Sequence, residues 1–159
     1  KFDNAWAKFE KGLISSNEFS KLFKEEAKNF NIDHIDTIEL LKCLDVEINK
    51  NMVKLLDKVS KRYSCVCLTN NFKTIKSNNF SNIIKYFSQI FESSKLNMRK
   101  PEAEIYKYVL KRLNVTAGEI LFIDDLGINL KPAKELGFHT HKFLDTKSTI
   151  EYINNTLKL

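Results

Sequence analysis

The chain has 159 residues, of which 43% are hydrophobic, and a formal net charge of +6 at pH 7. Its lysines alternate with glutamates, as at Lys8, Glu10 and Lys11, which is typical of solvated helix faces and argues against a nucleic-acid-binding surface. No apolar run is long enough to cross a bilayer and no signal peptide is visible, so we expect no membrane association and a cytoplasmic location. This much apolar material suffices for one well-packed domain or for a domain with a small appendage.

Apolar side chains recur at helical spacing through the first sixty residues, which predicts four helical segments. The first is expected to break near Gly12, and Ser15 with Glu18 forms the pattern of a capping box that begins the second. Residues 37–44 predict a third, weaker helix, and Asn49 is the expected N-cap of the fourth. We expect the aromatic and aliphatic residues of the first two helices to form a core: Phe2, Trp6, Phe9, Leu13, Phe19, Leu22, Phe23, Ala27 and Phe30.

The pattern changes at Tyr63, where residues 64–68 predict a short strand that contains Cys65 and Cys67 as core thiols. With Cys43 the chain has three cysteines, an odd number that favours a reducing compartment over a disulfide framework. A helix is predicted around residues 80–87, followed by a second strand at residues 90–93.

Pro101 is expected in the first turn of the next helix. The apolar run at residues 120–123 predicts a strand buried on both faces. A helix with Asn129 as its N-cap and an end at Gly137 follows, then a strand at residues 139–143 and a final helix at residues 146–157. Strands that alternate with helices from Tyr63 onward predict an α/β fold, a Rossmann-like parallel sheet flanked by helices.

Polar residues that suit phosphate chemistry stand at or beside the predicted strand ends, where parallel sheets hold their functional sites. Thr69 and Asn70 follow the first strand, Lys100 precedes a helix, and Asp124 and Asp125 follow the third strand. Two adjacent carboxylates repel each other, and a bound Mg²⁺ would relieve that repulsion. The alternative interpretation is one exposed aspartate and one helix N-cap, a loop-and-cap pair at Thr69 and Asn70, and a solvated lysine at Lys100.

Two further histidines, His139 and His141, share one face of the last predicted strand. A metal pair there would lack a third ligand.

Three stretches in this order resemble the haloacid dehalogenase-like hydrolase superfamily: LTNN at residues 68–71, MRKPEAEIY at residues 98–106 and FIDDLGINLKPA at residues 122–133. The residues of these motifs are nearest to those of the phosphatase-like N-terminal domain of soluble epoxide hydrolases and of related domains fused to acyl-CoA dehydrogenases. The resemblance implies a Mg²⁺-dependent hydrolase of small phosphate monoesters that acts through an aspartyl-phosphate, with dehalogenation as an alternative reaction. It also implies that residues 1–49 are part of a helical cap and that residues 50–159 are an α/β core without its first strand.

The resemblance also implies a role for each matching residue. Thr69 would hydrogen-bond the transferring phosphoryl group, with Asn70 beside it as a second substrate-binding residue. Lys100 would be catalytic and hold the negative charge. Asp125 would be the direct Mg²⁺ ligand, and Asp124 would bind Lys100 or a metal-bound water.

The family's first motif, D-x-D-x-[TV], which carries the nucleophilic aspartate on the central strand, does not occur in the sequence. We therefore expect the strands that end near Leu68 and Ile123 not to pair with each other, and negligible phosphatase activity from these residues alone. The sequence begins at Lys1 inside an apparent helix, so the natural polypeptide is expected to begin earlier, or a fusion or partner to supply that segment. The competing hypothesis is a non-catalytic short isoform that acts as a binding or regulatory module.

Overall fold

The computed structural model describes residues 3–44, 47–72 and 81–159. They fall into two compact units: Lys1–Ile48, Cys67–Lys85 and Ile90–Arg99 in the first, and Asn49–Val66, Tyr86–Gln89 and Lys100–Leu159 in the second. The first change of unit along the chain falls after Ile48, but Cys67–Lys85 and Ile90–Arg99, which were predicted to belong to the core of residues 50–159, fall in the first unit. That residues 1–49 act as a cap stays a prediction.

The four predicted N-terminal helices are present, and each begins at a capping side chain. They are α1 (Ala5–Glu10), α2 (Ser16–Lys28), α3 (Thr37–Lys42) and α4 (Lys50–Ser60). The capping box of Ser15 and Glu18 forms in full, and Asn49 caps α4 as predicted. Asn4 and Asp36 cap α1 and α3 in the same way, by accepting hydrogen bonds from backbone N–H groups in the first turn.

Aromatic rings form the core of the first unit. Phe9 stacks between Phe19 and Phe72, with 4.5 Å between ring centroids in each pair, and Trp6 packs edge-on against Phe19 and Phe72. Phe19 is completely buried. These contacts confirm the predicted aromatic core for the central members of the set.

Two members of the predicted core are exposed, and Phe2 lies outside the described residues. Phe30 is 77% exposed because α2 ends at Lys28 and the chain turns away before reaching it. Leu13 is 55% exposed because α1 ends at Glu10, so the helical spacing no longer applies. Glu10, interpreted from the sequence as part of a solvated face, is instead buried.

The remaining elements alternate as predicted from residue 63 onward. The strands are β1 (Val66–Thr69), β2 (Gln89–Glu92), β3 (Leu121–Asp124) and β4 (His139–Lys142), and the helices are α5 (Ser93–Leu96), α6 (Ala103–Leu113), α7 (Gly127–Glu135) and α8 (Thr146–Leu157). Single 3₁₀ turns occur at Ile84–Tyr86 and Ala117–Glu119. Of the helix predicted at residues 80–87, residue 80 lies outside the described residues, residue 81 is α-helical, and the 3₁₀ turn at Ile84–Tyr86 follows.

The described strands form two two-stranded sheets, β1 with β2 and β3 with β4. β3 and β4 are parallel, with Leu121 opposite His139 and Asp124 opposite Lys142. β1 and β3 therefore lie in different sheets, which confirms that the strands ending near Leu68 and Ile123 do not pair. The α/β class and the parallel pairing are confirmed as well.

Among the described residues, helices α6, α7 and α8 supply most of the buried apolar side chains of the second unit: Ile105, Tyr106, Val109, Leu130, Ala133 and Ile153. Leu55 of α4 and Phe138 add to them. Tyr106 packs edge-on against Phe122 of β3 and against Phe138, which precedes β4. The prediction that Pro101 lies in the first turn of α6 is wrong. Glu102 is extended, and helical geometry begins only at Ala103. Among the described residues, no helix is long and apolar enough to span a membrane.

Candidate active site

The aspartate doublet after β3 divides into one buried and one exposed carboxylate. Asp124 is the last residue of β3 and is only 8% exposed, whereas Asp125 is exposed to solvent. Successive side chains of an extended segment point to opposite sides, which separates the two carboxylates. The two aspartates are therefore suited to different tasks.

Lys100 and Asp124 form a buried ion pair in the second unit. The Lys100 Nζ donates to Asp124 Oδ2 at 2.6 Å, and the two side chains are only 11% and 4% exposed. The ammonium also lies 5.7 Å from the centroid of the Phe122 ring, within reach of a cation–π attraction. Little water screens this pair, so the two charges are strongly coupled.

Two further donors hold the other oxygen of Asp124. Its Oδ1 accepts hydrogen bonds from the backbone N–H of Leu126 and from Asn129 Nδ2, both at 2.9 Å. With Lys100, these groups give the buried carboxylate three donors. Its orientation at the end of β3 is thereby fixed.

The sequence predicted Asn129 as the N-cap of α7, and this prediction is wrong. Asn129 lies inside the first turn of the helix. Leu126 occupies the cap position and makes no side-chain cap hydrogen bond, because α7 begins at Gly127. The Asn129 amide turns back to Asp124 instead, and its backbone carbonyl accepts a 2.7 Å hydrogen bond from the hydroxyl of Tyr106. Burial, with the charge of Asp124 as a smaller cause, raises the pKa of Tyr106, so the phenol stays protonated and donating.

Thr69 and Asn70 belong to the first unit, whereas Lys100, Asp124 and Asp125 belong to the second. Thr69 ends β1 and is half-buried, and Asn70 Nδ2 donates to Glu10 Oε2 at 3.3 Å. The structure thus brings together Lys100 and Asp124. The convergence of Thr69 and Asn70 with them stays a prediction.

The two aspartates offer only carboxylate oxygens as metal ligands, and Mg²⁺ prefers oxygen ligands. Mg²⁺ keeps several waters and binds through one or two carboxylates plus substrate phosphate, so the exposed Asp125 is a suitable protein ligand. No group of three or more His, Cys, Asp or Glu side chains that could hold a metal occurs among the described residues. The donor set therefore fits a cation that shares its coordination sphere with a phosphate and waters.

The histidines and cysteines considered from the sequence form no metal site among the described residues. His141 stacks on Tyr152 with 3.9 Å between ring centroids and lies 3.4 Å from Thr149 Oγ1, while His139 is exposed. Cys65 and Cys67 are half-buried, and burial raises the pKa of the Cys65 thiol, which disfavours its nucleophilic thiolate form.

A parallel β–α–β unit with a buried lysine–aspartate pair at a strand end defines an α/β protein of the Rossmann-like type. Residues 7–142 match the family of haloacid dehalogenase-like hydrolases. Because the match spans most of the sequence, the chain belongs to that family of hydrolases. The family resemblance predicted from the three motifs is thereby confirmed.

Two curated relatives extend the match. The chain is 34% identical over 110 residues to the bifunctional epoxide hydrolase 2 of Rattus norvegicus, a match that covers 65% of this chain and 20% of that protein. It is 32% identical over 146 residues to the acyl-CoA dehydrogenase family member 10 of Mus musculus, covering 86% of this chain and 13% of that protein. The chain thus spans a fifth or less of the length of these relatives.

A solved structure also resembles the chain. It is a haloacid dehalogenase-family enzyme of Bacteroides thetaiotaomicron in complex with magnesium and inorganic phosphate, with a TM-score of 0.66 and 26% sequence identity. The match covers 89% of this chain and 75% of that one.

Proposed function

We propose that this chain binds a small phosphate monoester together with Mg²⁺, as the phosphate-orienting and metal-binding part of a phosphatase site. The observation that carries the proposal is the buried Lys100–Asp124 pair, fixed by Asn129 and followed directly by the exposed Asp125. The solved relative that holds magnesium and inorganic phosphate supports the same chemistry.

Lys100 holds negative charge at the site. Its ammonium is anchored by Asp124 at 2.6 Å, and an ammonium is a point charge that attracts anionic oxygens. Asp124, in this proposal, orients Lys100 and does not bind the metal directly, because three donors already engage its oxygens. Thr69 and Asn70 hydrogen-bond the phosphoryl oxygens.

Asp125 is the direct ligand of Mg²⁺, since its carboxylate is exposed while that of Asp124 is buried. When bound there, Mg²⁺ supplies neutralisation and Lewis-acid polarisation of the phosphoryl oxygens. The Asp125 carboxylate would hold the cation in place, and the charge of Lys100 would help to neutralise the phosphoryl oxygens.

Hydrolysis through an aspartyl-phosphate needs an attacking carboxylate. The sequence contains no D-x-D-x-[TV] motif to supply one. A protein of these 159 residues should therefore bind phosphate without turning over a monoester. The second candidate function is a non-catalytic binding or regulatory module.

The first experiment is an isothermal titration of the 159-residue protein with inorganic phosphate in magnesium buffer. Lys100→Met and Asp125→Asn should each weaken phosphate binding, because each removes a charge that the site uses. Lys131→Met is the matched control, since this lysine is exposed on α7. Equal phosphate affinity in wild type, Lys100→Met and Asp125→Asn would refute the proposed site.

A second experiment tests the expected lack of turnover. Para-nitrophenyl phosphate with Mg²⁺ should show no turnover by the 159-residue protein. Turnover that is abolished by Asp125→Ala would show that this chain has its own nucleophile. It would contradict the proposal that these residues bind phosphate without hydrolysing a monoester.

A further inference from the structure

A second buried ion pair lies in the first unit, around the carboxylate of Glu10. Glu10 is the last residue of α1, and its side chain is only 11% exposed. Its Oε2 accepts from Arg99 Nε at 2.5 Å and from Asn70 Nδ2 at 3.3 Å, and its Oε1 accepts from the indole N–H of Trp6 at 3.0 Å. One carboxylate thus joins three segments that are far apart in the sequence.

Ser93 ties the backbone of α1 to the same region. It is completely buried, its hydroxyl donates to the Glu10 carbonyl at 2.6 Å, and it accepts from the Asn71 backbone N–H at 2.9 Å. Asn71 in turn donates through its side chain to Glu92 at 2.7 Å. The residues that follow β1 are therefore fixed at both side chain and backbone.

The contacts of Glu10 fall beside residues assigned above to the phosphate site. Asn70 is itself one of those residues and follows Thr69, and Arg99 directly precedes Lys100 in the chain. We propose that Glu10 is a positioning residue, whose buried carboxylate holds Asn70 and Arg99 so that Asn70 and the neighbouring hydroxyl of Thr69 are presented to phosphate. This inference rests on the proposed function, and it assigns a role to a helix of the N-terminal segment.

Physical chemistry supports a positioning role. A charge-assisted hydrogen bond to a guanidinium is short and directional, and burial protects it from screening by salt. Arg99 is only 14% exposed, so its guanidinium cannot move to solvent without losing its partner. Site geometry depends on such supporting contacts, and in metal sites the loss of a comparable contact weakens binding by about 10–100-fold.

The test compares Glu10→Gln with Glu26→Gln in the 159-residue protein. Glu26 is a fair control because its carboxylate also binds the start of α1, accepting from the Ala5 N–H at 2.8 Å, yet its one contact there is to the helix and not to Asn70 or Arg99. For each variant, the affinity for inorganic phosphate in magnesium buffer is measured by calorimetry, and the midpoint of thermal unfolding by circular dichroism.

We expect both variants to lower the unfolding midpoint, but only Glu10→Gln to weaken phosphate binding, by on the order of tenfold. If Glu10→Gln fails to fold, Arg99→Lys replaces it, because lysine keeps the charge but lacks the directed Nε–H donor. It should weaken binding in the same way.

Two outcomes would overturn the inference, and they are distinguishable. If Glu10→Gln binds phosphate as well as Glu26→Gln while Lys100→Met binds weakly, the proposed function stands and the positioning role is wrong. If neither the wild type nor any variant binds phosphate, the proposed function fails, and the role of Glu10 at that site fails with it.

Discussion

Replacing Asp124 with asparagine should lower the free energy of unfolding by about 3–5 kcal/mol, the usual cost of breaking a buried ion pair by removing one partner. The ammonium of Lys100 would stay in a position where its side chain is only 11% exposed, without its counter-charge. An asparagine amide also cannot accept at both positions, although Lys100 donates to one oxygen of Asp124 and two N–H groups donate to the other. Whichever way the amide turns, its NH₂ group faces a donor.

The assay is urea unfolding followed by far-ultraviolet circular dichroism. Asp125→Asn is the matched control, with the same change of charge at an exposed neighbour, and should change the free energy of unfolding by about 0.5 kcal/mol or less. Lys100→Met should cost less than Asp124→Asn, because Asp124 keeps two hydrogen bonds. The double variant should cost less than the sum of the two. Equal costs for Asp124→Asn and Asp125→Asn would refute the inference that this pair is desolvated.

Three further predictions concern packing, a buried hydroxyl and pH. Phe19→Ala, at a completely buried ring, should lower the free energy of unfolding in urea by about 3–5 kcal/mol. Phe30→Ala, at a 77% exposed ring, should lower it by about 0.5 kcal/mol or less. Similar losses of free energy in the two variants would contradict the core assignment. Tyr106→Phe should lower the free energy of unfolding by about 1–3 kcal/mol, because it leaves a buried carbonyl without its donor. Tyr63→Phe removes an exposed hydrogen bond and should lower it less. A larger loss in Tyr63→Phe would contradict this prediction. Hydrogen bonds from the backbone N–H and hydroxyl of the helix-capping serine lower the pKa of Glu18, so its stabilising effect is present above its ordinary pKa of 4.5 and is lost as the pH falls below that value. Thermal midpoints of wild type and Glu18→Gln should therefore converge in acid, and a constant gap between them would contradict this.

Local signals in the sequence predicted the helices well. The Ser15–Glu18 pair and Asn49 begin their helices as predicted, because capping depends on side chains within one turn of the backbone. The strand predicted at residues 120–123 is observed one residue later, at Leu121–Asp124, because an apolar run indicates burial and not where the hydrogen-bonded ladder ends. The exposure of Phe30 was missed because periodicity alone does not tell where a helix stops.

The candidate site was predictable in part. The bond from Lys100 to Asp124 was one of two roles that the family resemblance implied for this aspartate, and the structure contains it. The role of Asn129 was missed because an asparagine early in a helix also suits a cap, and only tertiary structure selects between the two. Glu10 and Arg99 are 89 residues apart, and neither residue type carries a sequence signal that it will be buried with the other.

Trp6 gives the protein an intrinsic optical sensor. It is the single tryptophan of the chain, and its indole N–H is bonded to the same Glu10 carboxylate that holds Arg99 and Asn70. The emission of an indole depends on the polarity and hydrogen bonding around it, so a change at this carboxylate should appear as a shift in the fluorescence spectrum. The chain can thus be followed without any attached dye.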